Sequence, residues 1–541
     1  MQPVDIVNQF YLEYGNDEAA CARAYLNSNT IEKKTGRQIK TIGVYYPVMN
    51  RGGVQRVISL LLPLYEKMGY KIVLITEEES IEDYAIPDSV KRYIITRPKD
   101  ILDGIVTYKK RAEELEEIFR TKEIDIFIHH GVRLPFFVYD LILAKQMGIY
   151  TVAEKHQVFT QGFCDINDLF FMQKEAFKIV DKLIVLSNTE VNYWRSLGID
   201  AVYIENPFNS VLLDVKCDCK EKNIVWAGRL DVNSKQYLDI VDIAECVIEK
   251  VPEAKFLLYG SGSSSDVEAL ECAIKAKSLT ENVIFCGYES DVRKIYENAR
   301  IHMVTSAYEA FPMGIYESRI CGIPLVMYEL PYLELLKEKK GYLAVPNRDI
   351  HGMADNICRI LNEYELEQQL CKEAKESIAV FDNDLLCNKW KNLFNEIESG
   401  IRDVVSNEEV AVILQTMHKH FGIAQKKYER LLWKYEQEKV LYHVNKGLKA
   451  GKQIVVCPYG NVGKRIKKML NEKGIYESYI MDNNLAQYHD DIVSFDDIKE
   501  LDCSEMLFVI CSELVNIRQL FYNKISKLTE TENIIFYDSN L

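Results

Sequence analysis

Two glutamates, Glu309 and Glu317, flank a turn in Glu309-Ala-Phe-Pro-Met-Gly-Ile-Tyr-Glu317. The apolar run Ile301–Thr305 before it reads as a strand. Pro312 suits the first position of a helix that Cys321-Gly322 and Pro324 then stop. Free backbone N–H groups and the dipole at such a helix start favour an anion, for example a diphosphate. Glu317, about a turn inside, can accept hydrogen bonds from vicinal hydroxyls. Glu309 faces the crevice outside the strand ends, where open α/β sheets bind ligands. Taken alone, both could be ordinary surface carboxylates. Their neighbours argue for a site: Gly228-Arg229-Leu230 ends another strand and Lys235 follows in the same loop. An Arg and a Lys placed so can clamp a diphosphate, one bidentately and the other as a point charge. Nearer the N-terminus, Asn50-Arg51-Gly52-Gly53 joins a strand to a helix. Paired glycines there let the backbone approach a bulky ligand, or simply make a tight turn.

The elements that must carry these residues follow from pattern. Short β-branched runs alternate with longer amphipathic stretches: Thr41–Tyr46, Lys71–Thr76, Ile124–His129, Tyr150–Ala153 and Lys182–Leu186. Continuous apolar strands separated by helices imply a parallel sheet covered on both faces. Gly53–Lys67 carries Val54, Val57, Ile58, Leu61, Leu62 and Leu64–Tyr65 at the spacing of a buried helix. The alternation restarts after Asn206-Pro207-Phe208, with strands at Asn223–Ala227, Lys255–Tyr259, Val283–Cys286, Ile301–Thr305 and Pro324–Met327. A helix over 384–399 places Leu385, Leu386, Trp390 and Phe394 on one face. A third α/β unit has strands at Gln453–Cys457, Ser478–Met481, Met506–Cys511 and Asn533–Tyr537. Between them, 406–447 is helical and highly charged, with Phe421, Tyr428, Leu432, Tyr435 and Tyr442 at helical spacing. That stripe reads either as a solvated helix packed on a neighbouring lobe or as a self-associating coiled coil. The expected organisation is a helical extension over 1–38, lobes over 39–205 and 206–400, a helical linker over 401–448 and a small domain over 449–541.

Composition narrows the class. At ~150 residues per domain, 541 residues suggest three to four domains. Lys and Arg total 66 against 81 Asp and Glu, a net charge of -15. Such a surface repels phosphate backbones, so nucleic acid is not expected as a partner, and a local Arg–Lys pair is the more telling. The 14 cysteines are scattered singly apart from Cys217-Asp-Cys219, without zinc spacing or a disulfide framework. The start, Met1-Gln-Pro-Val-Asp5, has no basic region followed by an apolar one. The apolar runs around Val57–Leu64 and Phe136–Ala144 fall short of the ~20 residues of a membrane span. A reduced, cytosolic, soluble protein is expected.

Together these residues resemble the retaining glycosyltransferases of the two-lobed GT-B fold, in particular family 4, over roughly residues 39–400. The strongest match is Ser306-Ala-Tyr-Glu-Ala-Phe-Pro-Met-Gly-Ile-Tyr-Glu-Ser-Arg-Ile-Cys-Gly-Ile-Pro-Leu-Val326, which keeps the family's two glutamates and its Gly-x-Pro in order. Gly52-Gly53, Asp181-Lys-Leu-Ile-Val-Leu-Ser187, Asn206-Pro207 and Gly228-Arg229-Leu230 with Lys235 support it. Two features depart from the family: Lys235-Gln236 replaces the usual Lys-Gly, and Tyr328-Glu-Leu-Pro-Tyr332 replaces a glycine-rich stretch.

The resemblance implies roles. Arg229 and Lys235 bind the donor diphosphate, Glu317 the ribose hydroxyls, and Glu309 the transferred sugar. Met313-Gly314 adds backbone N–H groups, and Gly52-Gly53 closes over the donor. His156 matches a family histidine on the acceptor side of the cleft; His129-His130 is a weaker candidate. No metal and no cofactor beyond the nucleotide-sugar co-substrate is implied, because the two cations take a metal's role. The C-terminal Val455-Val-Cys-Pro-Tyr-Gly-Asn-Val-Gly463, with Asp482, resembles small Rossmann-like domains, although Pro458 stands at the first glycine position. Gly460, Gly463 and Asp482 are its candidate nucleotide residues; a structural or partner-docking role is the alternative. The implied activity is sugar transfer from a nucleotide-sugar to a sugar or lipid-linked acceptor, with retention, in surface polysaccharide or glycoconjugate assembly. It is cytoplasmic, with contact at the inner membrane face left open. The competing readings are a catalytically silent partner subunit and a GT-B nucleotide-sugar epimerase.

Overall fold

The computed structural model describes residues 2–28, 36–50, 52–97, 104–160, 169–215, 221–403, 408–483, 485–486, 488–489, 491–512 and 515–537. Arg51, Cys217 and Cys219 lie outside them. By internal contacts the chain forms two compact units, Met1–Met417 and His418–Leu541.

The first unit holds two parallel sheets. One comprises β1 (Thr41–Tyr45), β2 (Lys71–Thr76), β3 (Lys91–Ile94), β4 (Ile126–His129), β5 (Tyr150–Glu154), β6 (Lys182–Val185) and β7 (Ala201–Tyr203), in the order β3-β2-β1-β4-β5-β6-β7. The other comprises β8 (Asn223–Arg229), β9 (Lys255–Ser261), β10 (Val283–Gly287), β11 (Ile301–Val304), β12 (Leu325–Tyr328) and β13 (Tyr342–Val345), in the order β10-β9-β8-β11-β12-β13. In each sheet the winding direction reverses once, between β1 and β4 and between β8 and β11. Those are the switch points at which doubly wound sheets hold ligands. The central strands β1, β4, β5, β6, β11 and β12 are buried along their whole length, so helices cover both faces and the strand sequences are mostly apolar.

The predicted strands form, but β3, β7 and β13 were not anticipated. All three are edge strands, paired on one side only. They are short, and Lys91-Arg-Tyr-Ile94 is charged and largely solvent-facing, the usual way an edge is kept from pairing with another chain.

Residues 1–28 contribute two helices, Pro3–Tyr14 and Glu18–Asn27, which bury Val7, Tyr11, Cys21 and Tyr25 in the core beside the first sheet. The half-buried Glu18 carboxylate accepts from the backbone N–H groups of Phe136 and Val138, both at 2.8 Å, and so caps the helix Phe137–Gln146. The helix Asn383–Glu398 follows the second sheet in sequence but packs on the first. Leu386, Trp390, Leu393, Phe394 and Ile397 join the cluster of Ile42, Val57 and Tyr65. Leu385, expected on that face, is exposed; Leu393 and Ile397 complete the 3.6-residue stripe instead.

The second unit contains a four-stranded parallel sheet of β14 (Gln453–Cys457), β15 (Tyr479–Ile480), β16 (Met506–Cys511) and β17 (Ile534–Tyr537), in the order β15-β14-β16-β17. The helix Glu408–Lys449 presents Val440 and Val444 to Ile454, Val456, Ile466 and Leu507. The aromatic stripe read from its sequence is not this buried face. Phe421, Tyr435 and Tyr442 are exposed, and the side chains of Tyr428 and Leu432 lie outside the described residues. Among the described residues no helix is long and apolar enough to cross a membrane.

Candidate active site

At the switch point of the second sheet, β8 ends on Arg229 and β11 leads into Ser306–Glu309. The Lys235 ammonium pairs with the Glu309 carboxylate. The same Glu309 oxygen accepts from the Ser306 hydroxyl at 2.7 Å. Glu309 is held at its backbone too, where its N–H donates to the Tyr332 hydroxyl at 3.1 Å. Tyr332 belongs to the stretch that replaces the family's glycine-rich segment, so part of that departure is used to fix Glu309. Arg229 is the more exposed cation, 3.3 Å from Asp231 Oδ2. Asp231 also accepts from the backbone N–H groups of Asn233 and Ser234, at 3.0 and 2.7 Å, which shapes the loop between the two cations. Gln236 adopts a left-handed backbone with φ 46°, a conformation that favours glycine. That accounts for the Lys-Gly usual in the resembling family.

Glu317 sits in the helix Met313–Ile320, which opens after Pro312 at its N-cap, one position later than predicted. Its carboxyl is buried. Oε2 accepts from the Tyr296 hydroxyl at 3.4 Å, and Oε1 lies 2.8 Å from a guanidinium nitrogen of Arg56 in the first lobe. Burial pushes the Glu317 carboxyl above its ordinary value, and Arg56 and then Tyr296 oppose that. Gly314 lies close against His302 and Tyr296, where a Cβ would stand 3.4 Å from both side chains. The Met313 sulfur accepts from the Asn206 side chain at 3.5 Å.

Gly52 and Gly53 open the helix Gly53–Lys67. A Cβ on Gly52 would meet the Gln55 side chain at 2.2 Å, whereas one on Gly53 would meet open space. The glycine pair therefore makes room for Gln55 at its first position, and only the second leaves the backbone open to a ligand.

In the first lobe, His130 Nδ1 and His156 Nε2 are 2.9 Å apart and hydrogen-bonded, with the rings nearly parallel. Both nitrogens lie 3.6 Å from Glu154 carboxylate oxygens. Burial lowers the His156 pKa to about 3, helped by the neighbouring Lys155, and raises that of Glu154 to about 8. Both imidazoles and the carboxyl are therefore neutral near pH 7. Among the described residues this is the group whose donor atoms, all within 4.8 Å, could bind a metal. The two ring nitrogens point at each other, however, so a cation would have to break their hydrogen bond. His129 is separate: strand alternation turns it into a buried network, where it stands 3.6 Å from Asp140, itself paired with Arg111. From the same lobe, Phe159 reaches Tyr332 with ring centroids 6.2 Å apart. The first lobe thereby touches the residue that holds Glu309.

Sequence reasoning missed Arg56, Tyr296, Tyr332 and Glu154. Arg56 left a signal: a cation in the first turn of a helix opposes the dipole and needs an anion nearby.

In the second unit, Gly463 is required by close approach, since a Cβ would stand 2.4 Å from the Pro458 carbonyl oxygen. The Asp482 carboxylate accepts from the backbone N–H groups of Tyr459 and Leu485, at 3.0 and 3.2 Å. Asp482, a candidate nucleotide residue, thus fastens the glycine loop whose Gly460 caps the helix Asn461–Glu472.

Residues 221–363 match the family model "Glycosyl transferases group 1". The chain is 30% identical over 228 residues to a poly(ribitol-phosphate) alpha-N-acetylglucosaminyltransferase of Staphylococcus aureus, which covers 42% of this chain and 46% of that protein. The chain thus spans about half the length of that relative. It is 24% identical over 361 residues, 65% of this chain and 97% of the relative, to the GalNAc-alpha-(1->4)-GalNAc-alpha-(1->3)-diNAcBac-PP-undecaprenol alpha-1,4-N-acetyl-D-galactosaminyltransferase of Campylobacter jejuni. Among solved structures, Anabaena HepE in complex with UDP-glucose superposes with a TM-score of 0.55 at 15% identity, covering 66% of this chain and all of that one. The pneumococcal O-GlcNAc transferase GtfA with UDP and GlcNAc gives 0.54 at 13% identity, over 66% of this chain and 99% of the other. The two sheets of the first unit are a GT-B fold, and residues 221–363 within it are a glycosyl transferases group 1 domain.

Proposed function

We propose that this chain transfers a sugar from a nucleotide-sugar to a sugar or lipid-linked acceptor, with retention of configuration, in surface polysaccharide or glycoconjugate assembly. The observation that carries the reading is the Lys235–Glu309 pair at the second sheet's switch point, beside the buried Glu317. The names of the two relatives from Staphylococcus aureus and Campylobacter jejuni, one acting on poly(ribitol-phosphate) and the other on an undecaprenol-linked glycan, support the substrate class.

Cleaving a sugar–phosphate bond leaves cationic character on the sugar and a second negative charge on the departing diphosphate. Arg229 and Lys235 stabilise that charge, and removing one preset donor of this kind typically costs about 10²–10³ in rate. These cations make a metal unnecessary on the donor side. Glu317 holds the ribose hydroxyls, and the backbone at Met313-Gly314 adds donors to the diphosphate. Glu309, its charge balanced by Lys235, is a better hydrogen-bond acceptor for the sugar's hydroxyls than a nucleophile. That suits retention by attack on the face the leaving group vacates. His156, neutral and fixed by His130, lines the acceptor side.

The test is nucleotide release from UDP-, GDP-, ADP- and CMP-sugars by the wild type and Glu317→Ala. Slow release from one donor, lost in the variant, supports a transferase site. If no donor raises the melting temperature, the silent-subunit reading replaces this one.

A further inference from the structure

Arg56 lies in the first turn of the helix Gly53–Lys67, where the dipole disfavours a cation. Its partner is Glu317 of the other lobe, at 2.8 Å, with side-chain exposures of only 17% and 4%. An ion pair so far removed from water is expensive to build unless the carboxylate's remaining lone pairs are also used. A carboxylate offers about four lone-pair sites. Arg56 meets one oxygen and the Tyr296 hydroxyl the other, which leaves sites for two more donors. A pair of vicinal hydroxyls fits that remainder.

The groups around Glu317 make Arg56 its cation. Tyr296 is buried, and its hydroxyl also lies 3.1 Å from the Gly314 carbonyl. The His302 ring lies edge-on to Tyr296 and is neutral, its pKa lowered to about 3 by burial and then by Lys235. The buried Cys321 thiol lies on the same helix as its cap, and Lys235 is balanced by Glu309.

We propose that Arg56 is a positioning residue for the donor: it holds Glu317 as an oriented anion ready to accept the ribose hydroxyls, so that nucleotide affinity depends on a residue of the opposite lobe. This rests on the reading of Glu317 as the ribose-binding carboxylate. Without Arg56, burial acts on Glu317 almost alone and its carboxyl protonates more readily. Binding then weakens as pH falls, because the neutral acid accepts hydroxyl hydrogen bonds poorly.

The experiment measures UDP, GDP, ADP and CMP binding calorimetrically to the full chain from pH 6 to 9, for the wild type, Arg56→Ala, Arg56→Lys, Glu317→Gln and the double variant Arg56→Ala/Glu317→Gln. Melting temperatures confirm that each is folded. Arg56→Ala is expected to lose about tenfold or more in affinity at pH 7, as for a lost charged hydrogen bond. The loss grows toward pH 6 and shrinks toward pH 9. Arg56→Lys retains most of the affinity and the flat profile. In the Glu317→Gln background, Arg56→Ala costs nothing further, the mark of two residues acting through one contact. Unchanged affinity and profile in Arg56→Ala, or an equal loss with and without Glu317, overturns the role of Arg56. A wild type that binds none of the four nucleotides overturns the reading of Glu317 itself, and the proposal with it.

Discussion

At the end of the second sheet the polar groups are charged and partly open to water: Arg229 leans on Asp231, and Lys235 pairs with Glu309. At the end of the first sheet, His130, Glu154 and His156 are shut away and uncharged, the two imidazoles bonded to each other and the carboxyl 3.6 Å from both. Both constellations sit at strand ends of doubly wound sheets, yet one is built from ions and the other from neutral hydrogen-bonding groups. The proposed reaction accounts for the difference. A departing diphosphate gains charge and needs cations waiting for it. A sugar and an acceptor hydroxyl are neutral and need only fixed donors and acceptors, which a low-dielectric setting strengthens. The fold is repeated while the chemistry is divided.

Substitutions can break this division. Lys235→Ala should have the largest effect, lowering turnover by about 10²–10³ through loss of a preset cation, with Glu309 left unbalanced. Steady-state kinetics with the identified donor checks it; a loss confined to KM would mean the cation binds but does not catalyse. Trp390→Ala probes the first lobe's core without touching either constellation. This buried ring packs edge-on to Tyr65 with centroids 5.0 Å apart. Its truncation should cost about 3–5 kcal/mol in denaturant unfolding.

Glu154→Gln sharpens the neutral side. The Glu154 pKa is raised from 4.5 to about 8 by burial, so the folded protein keeps a proton that the unfolded chain releases. Its contribution to stability is therefore present below pH 4.5 and is lost as the pH rises through about 8. The Gln variant should lack that loss. Melting temperatures of the two proteins between pH 5 and 9 should diverge progressively, with wild type falling relative to the variant. Gly463→Ala should have the smallest effect on chemistry. Its Cβ collides with the Pro458 carbonyl, which lowers the second unit's stability by about 1–3 kcal/mol, with donor turnover unchanged. A matching loss of turnover would bring the second unit into the reaction.

The sequence made the charged side easier to read than the neutral one. Glu309, Glu317 and the helix between them are close in the chain, and local spacing announces them. The Arg56–Glu317 pair joins residues 261 positions apart on different lobes, and no periodicity connects them. His129 and His130 looked equivalent as neighbours. Strand alternation sends one to Asp140 and the other to His156. The missed strands β3, β7 and β13 are short edge strands of three or four residues; Lys91-Arg-Tyr-Ile94 is also charged, so neither length nor pattern marked them. In the helix Glu408–Lys449 the aromatic residues drew attention, but among the described residues Val440 and Val444 are its fully buried apolar side chains. Large apolar side chains can stay in water, so type alone did not identify the buried face.

The most direct measurement is calorimetric binding of UDP-, GDP-, ADP- and CMP-sugars to the wild type, Glu317→Ala and His156→Ala. The account predicts that one donor binds the wild type, that Glu317→Ala loses it, and that His156→Ala keeps it while losing turnover. Donor binding that survives in Glu317→Ala, or disappears in His156→Ala alone, would contradict the assignment of the donor to the second lobe.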